Sequence, residues 1–134
     1  MKIEKLIEST EDSKTEQTEK TEQIEFKKFI DIDDLLKIEI RVGKVLDVED
    51  VADSDKLYKL LVDFSEEKPR VIVSGIKKDW EKEFLLNKQF VFITNLLPRK
   101  IMGLESQAMI LATGEESLVL LSPTNQVKNG SRMK

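Results

Sequence analysis

The chain contains neither cysteine nor histidine. That removes thiolate and imidazole chemistry together, and with them most zinc sites and every Ser-His or Cys-His nucleophile pair. It also lacks a Gly-rich phosphate loop of the Walker or dinucleotide type. Adjacent acids such as Asp33 with Asp34, or Glu66 with Glu67, sit in polar, turn-like contexts. Neighbours on an extended backbone point apart, so neither pair makes a tuned acid and base. These absences point away from an enzyme, and no cofactor or metal is expected. No window approaches the ~20 apolar residues of a membrane span. The opening MKIEKLIEST carries an acid inside its apolar run and no small-residue cleavage site. A soluble, cytoplasmic protein without a membrane partner is expected. Repeats of the solenoid or propeller kind are absent too.

What is present is room for one globular domain: 134 residues, 40% of them hydrophobic and 36% charged. The net charge of -4 disfavours a nucleic-acid binder only on average. Residues 28–67 hold six bases and twelve acids, whereas residues 68–134 hold eleven bases and six acids. The C-terminal half is locally basic, and local field is what steers a polyanion.

Residues 1–27 read as a polar linker or N-terminal extension, because Glu8 to Gln23, ESTEDSKTEQTEKTEQ, has no apolar side chain to bury against its ordering entropy. Residues 28–134 are expected to form the folded domain. DIDDLLKI, Asp31 to Ile38, offers an Asp cap and apolar residues at Ile32, Leu35 and Leu36, which suits one or two helical turns. Alternation then predicts a strand over Ile38–Val51, with Ile38, Ile40, Val42, Val45 and Val48 as its core side and Gly43 as a bulge or bend. Further strands are predicted over Lys56–Phe64, Arg70–Ile76, Gln89–Leu96, Gln107–Thr113 and Leu118–Pro123, with a helical turn near EKEFLL. Short strands and tight turns point to a small antiparallel all-β barrel.

Three stretches carry candidate chemistry. In DSDKLYKL, Lys56 stands among acids at a strand start, which is either a contact residue or a solvated turn with a weak local ion pair. In VIVSGIKK, Ser74 and Gly75 end an apolar strand where Lys77 and Lys78 begin; hydroxyl, bare backbone and ammonium groups can hold a phosphate, and can equally be a plain turn. The third, NLLPRKIMGLESQAMI, packs unusual bonding capacity between two strands. Asn95 presents a donor and an acceptor, Pro98 stiffens the turn, and Arg99 and Lys100 suit phosphates. Gly103 admits a close backbone, Ser106 and Gln107 add polar groups, and Met102 and Met109 offer adaptable apolar surface. The stretch reads as a binding surface, against the alternative of a wide loop that satisfies its own backbone.

At these residues the chain resembles a known family. IDDLLKIEIRVGKV, DSDKLYKLLVDF, RVIVSGI, NLLPRKIMGLESQAMILA and the closing LLSP and NGS follow one another as in the tRNA-binding domain at the C-terminus of many methionyl-tRNA synthetases. Related domains occur as free dimeric tRNA-binding proteins, in the endothelial-monocyte-activating polypeptide group and in the chaperone CsaA. The resemblance covers residues 29–134. It implies a five-stranded Greek-key oligonucleotide-binding (OB) barrel that grips tRNA without reading a particular sequence, usually as a homodimer, beside a synthetase catalytic chain. It implies Lys56, Ser74, Asn95, Arg99, Lys100, Ser106, Gln107 and Met109 as the RNA-facing residues. A CsaA-like chaperone or export factor is the alternative it leaves open. Two positions depart from many relatives: Val51 and Ala52 replace a His-Pro pair, and Ala108 replaces a glycine whose absence narrows the approach to the loop.

Overall fold

The structure, a computed structural model, describes residues 25–134. The polar stretch Glu8–Gln23, expected to be a linker, lies outside the described residues. Two units are distinguished, Met1–Asp31 and Ile32–Lys134; the described part of the first, residues 25–31, forms no regular element. Everything that follows concerns the second.

Helix α1 is one short turn, Ile32–Leu35, with Asp33 and Asp34 at its start, where carboxylates favour exposed helical N–H groups. Strands β1 (Ile40–Asp50), β2 (Tyr58–Asp63) and β3 (Arg70–Ser74) form a meander, and β4 (Gln89–Ile93) returns to the other side of β1. A hairpin of β5 (Arg99–Ile101) and β6 (Leu104–Ser106) follows, then β7 (Met109–Ile110), which pairs with β4, and the pair β8 (Ala112–Thr113) and β9 (Val119–Leu120). The five-stranded antiparallel sheet has the order β3-β2-β1-β4-β7 and curls into a nearly closed barrel, the all-β architecture the alternation predicts. A 3-10 turn, Lys82–Phe84, occupies the expected helical position. Among the described residues no helix is long and apolar enough to cross a membrane.

The core is the inward side of these strands. Val45, Leu60, Val62, Ile72, Leu85 and Phe92 are fully buried, and Phe64 meets Phe92 edge to face with ring centroids 5.2 Å apart. The inward side of early β1 differs from the expected one. Gly43 and Val45 are buried while Val42 is only half-buried and Ile38 is exposed. A Cβ on Gly43 would lie 2.5 Å from Phe64 Cε1 and 2.6 Å from Val62 Cγ1, so this glycine admits side chains from the end of the neighbouring β2 segment. The bulge falls three residues later, between Val45 and Asp47, and lets Val48 regain the core side.

Closure of the barrel at β3 combines two side-chain acceptors with one backbone bond. The Val71 N–H donates to Gln107 Oε1 at 2.7 Å, the Gln107 N–H donates to the Val71 carbonyl at 2.8 Å, and the Val73 N–H donates to Ser106 Oγ at 2.9 Å. The outer edge of β3 thus finds partners where no ladder is formed. Arg70 reinforces the seam by donating from Nη1 to the carbonyls of Thr94 (2.7 Å) and Gln107 (3.1 Å).

Candidate nucleic-acid interface

The stretch expected to be a loop contains the β5–β6 hairpin. Ile101 pairs with Leu104, which leaves Met102 and Gly103 as a two-residue tip with φ of 51° and 82°. Two positive φ values in succession match a type I′ turn, whose twist suits antiparallel strands. Gly103 therefore serves the turn; nothing approaches within 4 Å of the Cβ it lacks. Adjacent residues on β5 point to opposite sides. Arg99 faces inward toward β3, and Lys100 stands opposite Glu105 on the outer side.

A groove of about 200 Å³ lies between β3 and this hairpin. Ser74, Arg99, Ser106 and Met109, four of the expected contact residues, line it together. Leu96, Leu97 and Ile101 complete its apolar wall, and Ala108 contributes its methyl. Sequence reasoning passed over those three; the leucine pair ahead of Pro98, with Leu97 87% exposed, was the available signal. Among the described residues neither Arg99 nor Lys100 has a carboxylate within ion-pairing distance, and the Ser74 hydroxyl makes no hydrogen bond.

The other four residues lie elsewhere or are committed within the fold. Asn95 clips β4 to the chain entering β1: its Nδ2 donates to the Lys37 carbonyl at 2.8 Å and its Oδ1 accepts the Glu39 N–H at 2.8 Å. Gln107 is held at the barrel seam, while Lys100 points away from the groove. Lys56 is exposed on the bend before β2, where Ser54 Oγ accepts its N–H at 3.2 Å and its carbonyl accepts the Lys77 N–H at 3.1 Å. Ser106 lines the groove, but its hydroxyl is used on both sides, accepting from Val73 and donating to the Ala108 carbonyl at 3.3 Å.

Two charge clusters frame the face. Asp50 bridges Lys77 at 3.2 Å and Lys82 at 3.4 Å, and the hydrogen bond from Lys77 holds its carboxyl below the usual range. Lys77, which with Ser74 and Gly75 could equally form an anion site or a plain turn, is therefore paired. Beside Asn95, Glu39 takes hydrogen bonds from Arg41 at 3.0 Å and from the Thr94 hydroxyl at 2.7 Å, with Arg132 3.9 Å away. The Arg41 bond first, then the Thr94 bond, lower its pKa from 4.5 to about 2. No grouping of three or more acids suited to a metal occurs among the described residues.

Residues 40–132, which span the barrel, its seam and the groove, match the family described as "Putative tRNA binding domain". The chain belongs to this tRNA-binding domain family. Over 108 residues it is 43% identical to the methionine–tRNA ligase of Thermococcus onnurineus, covering 80% of this chain and 15% of the ligase. The ligase of Pyrococcus horikoshii is 40% identical over 124 residues, 92% of this chain and 17% of the ligase. The chain thus spans about 15% of the length of the curated ligases it matches, and that part is the tRNA-binding domain rather than the catalytic one. Among solved structures, the methionyl-tRNA synthetase related protein of P. horikoshii superposes with a TM-score of 0.75 at 34% identity, covering 81% of this chain and all of the other. The chaperone CsaA of Bacillus anthracis gives 0.72 at 26% identity, over 80% of this chain and all of that one.

Proposed function

We propose that this domain binds tRNA without reading its sequence and assists aminoacylation as a tethered accessory to a synthetase catalytic chain in the cytoplasm. A second contact on a tether raises the effective concentration of tRNA at the enzyme. The observation that carries the reading is the groove itself: Ser74, Arg99, Ser106 and Met109 converge there, with the guanidinium left without a carboxylate among the described residues. Arg99, Lys100 and Lys56 would meet phosphates, and Ser74 and Met109 would meet sugar and base. Asn95, Ser106 and Gln107 would act on the RNA chiefly by holding the face in shape. Total tRNA titrated in a mobility-shift series over rising salt tests this. Affinity should fall steeply with salt and be similar across tRNAs, and a chain that binds no tRNA at low salt rules the reading out.

A homodimer belongs to the same reading. Ile32, Leu35, Leu36 and Met133 are exposed around the start of β1 and the end of the chain, an apolar grouping suited to a second copy. Sedimentation equilibrium at micromolar concentration decides it.

The apolar wall of the groove and the likeness to CsaA favour one second reading, a chaperone or export factor that takes unfolded peptide. Light scattering of a denatured client, with and without competing tRNA, separates the two.

A further inference from the structure

We propose that the groove between β3 and the β5–β6 hairpin is a slot for one unpaired nucleobase drawn out of its stack. The inference rests on the reading of the domain as a tRNA binder and specifies which part of the RNA it holds. Size is the first argument. At about 200 Å³ the slot is below the ~300–1,000 Å³ of ordinary small-molecule sites, so it has room for one flat ring system and not for a run of stacked bases.

The walls are the second. Val73, Leu97, Ile101 and Met109 present carbon and sulfur to whatever enters. The one hydroxyl of the inner wall, on Ser106, already accepts from Val73 and donates to Ala108. Such a surface rests against the face of a ring and does not read the hydrogen-bonding pattern on its edge, and every base has a π face. The rim is the third. Ser74 and Arg99 stand at the slot with unspent hydrogen-bonding capacity among the described residues, where the ribose and phosphate of an inserted base would lie. An apolar peptide side chain would satisfy the walls and leave the guanidinium without an anion. A nucleotide brings ring and anion in one unit. Selection is then for an unpaired base in a loop or at an end, whatever its identity.

The experiment uses the full chain and an oligoadenylate of about twelve nucleotides carrying one central 2-aminopurine, within the site sizes of single oligonucleotide-binding folds. Binding should move the 2-aminopurine emission from its stacked level toward that of the free base, and a blunt RNA duplex of the same length should compete about tenfold more weakly or worse. Gly75→Leu supplies the second arm. Gly75 lines the slot, and a Cβ there meets only Leu57 Cδ2, at 3.8 Å, so the backbone accepts a bulky side chain at the edge of the slot. It should lower oligoadenylate affinity about tenfold and abolish the emission change, with the melting temperature unmoved. Emission that stays at the stacked level in a saturated wild-type complex overturns the proposal, and it does so whether or not the variant folds. So does a folded Gly75→Leu chain that binds oligoadenylate and tRNA as the wild type does; tRNA binding by the domain would then stand without the slot. Loss of client protection with RNA affinity intact would give the slot to a peptide and overturn it as well. Absence of tRNA binding by the wild type would instead sink the functional reading on which the slot rests.

Discussion

Gln107 and Val71 exchange two hydrogen bonds, one from backbone to backbone at 2.8 Å and one from the Val71 N–H to the Gln107 side-chain oxygen at 2.7 Å. The glutamine side chain stands where a neighbouring strand's carbonyl would be. Gln107→Ala removes that acceptor and leaves a strand N–H without its partner, which should cost about 1–3 kcal/mol. Urea unfolding with an unchanged m-value measures it. Affinity for tRNA, corrected for the folded fraction, should fall much less than it does for Arg99→Ala.

Asn95→Ala should also act through stability. The Lys37 carbonyl and the Glu39 N–H lose a common partner, but both can turn to water at this exposed position, so the loss should be about 1 kcal/mol. Thermal melting, read beside a mobility shift at matched folded fraction, separates this from direct RNA contact.

The glycines of the barrel divide sharply. Gly43→Ala forces a methyl against Phe64 and Val62 and should cost about 1–3 kcal/mol, whereas Gly75→Ala makes only an ordinary contact with Leu57 and should stay within about 0.5 kcal/mol. Denaturant midpoints of the two variants give the contrast directly.

Arg99→Ala combined with Lys100→Ala should weaken binding to all tRNAs alike and flatten the plot of log affinity against log salt by roughly two units. Discrimination among tRNAs that collapses while the slope holds would contradict phosphate contact.

Acid should loosen the β1–β4 junction. Because Glu39 is lowered from 4.5 to about 2 in the folded chain, its ionised form stabilises the fold fully above about pH 4.5 and ceases to do so as pH falls through about 2. Glu39→Gln should flatten that part of the stability profile while lowering the plateau at neutral pH. Chemical unfolding followed from about pH 2 up to neutral pH reads both effects.

The long alternating strands were legible because period-2 burial leaves a direct trace: β2 follows it residue by residue. The β5–β6 hairpin was not, since strands of three residues are too short to show a burial pattern, and its tip carries Met102 where an asparagine would have announced the turn. The bulge was misplaced for a related reason. The three-residue step from Val45 to Val48 marks it, whereas Gly43, the residue type that suggests a bulge, answers instead to Phe64 just past the end of β2. Within the site, residue types pointed to a polar, basic face, but nothing local told that Ser106 would be spent on Val73 and Gln107 on Val71, each more than thirty residues away. Bonding capacity is legible in a sequence. Whether the fold consumes it is a property of distant partners.

The side-chain seam also has a bearing on solubility. An uncovered outer row of N–H groups on β3 would be a template for foreign strands, the usual seed of edge-to-edge aggregation. The side chains of Ser106 and Gln107 occupy that row at Val73 and Val71. The domain can thus keep the groove beside β3 open, with Arg99 at its rim, while denying the adjoining strand edge to other chains.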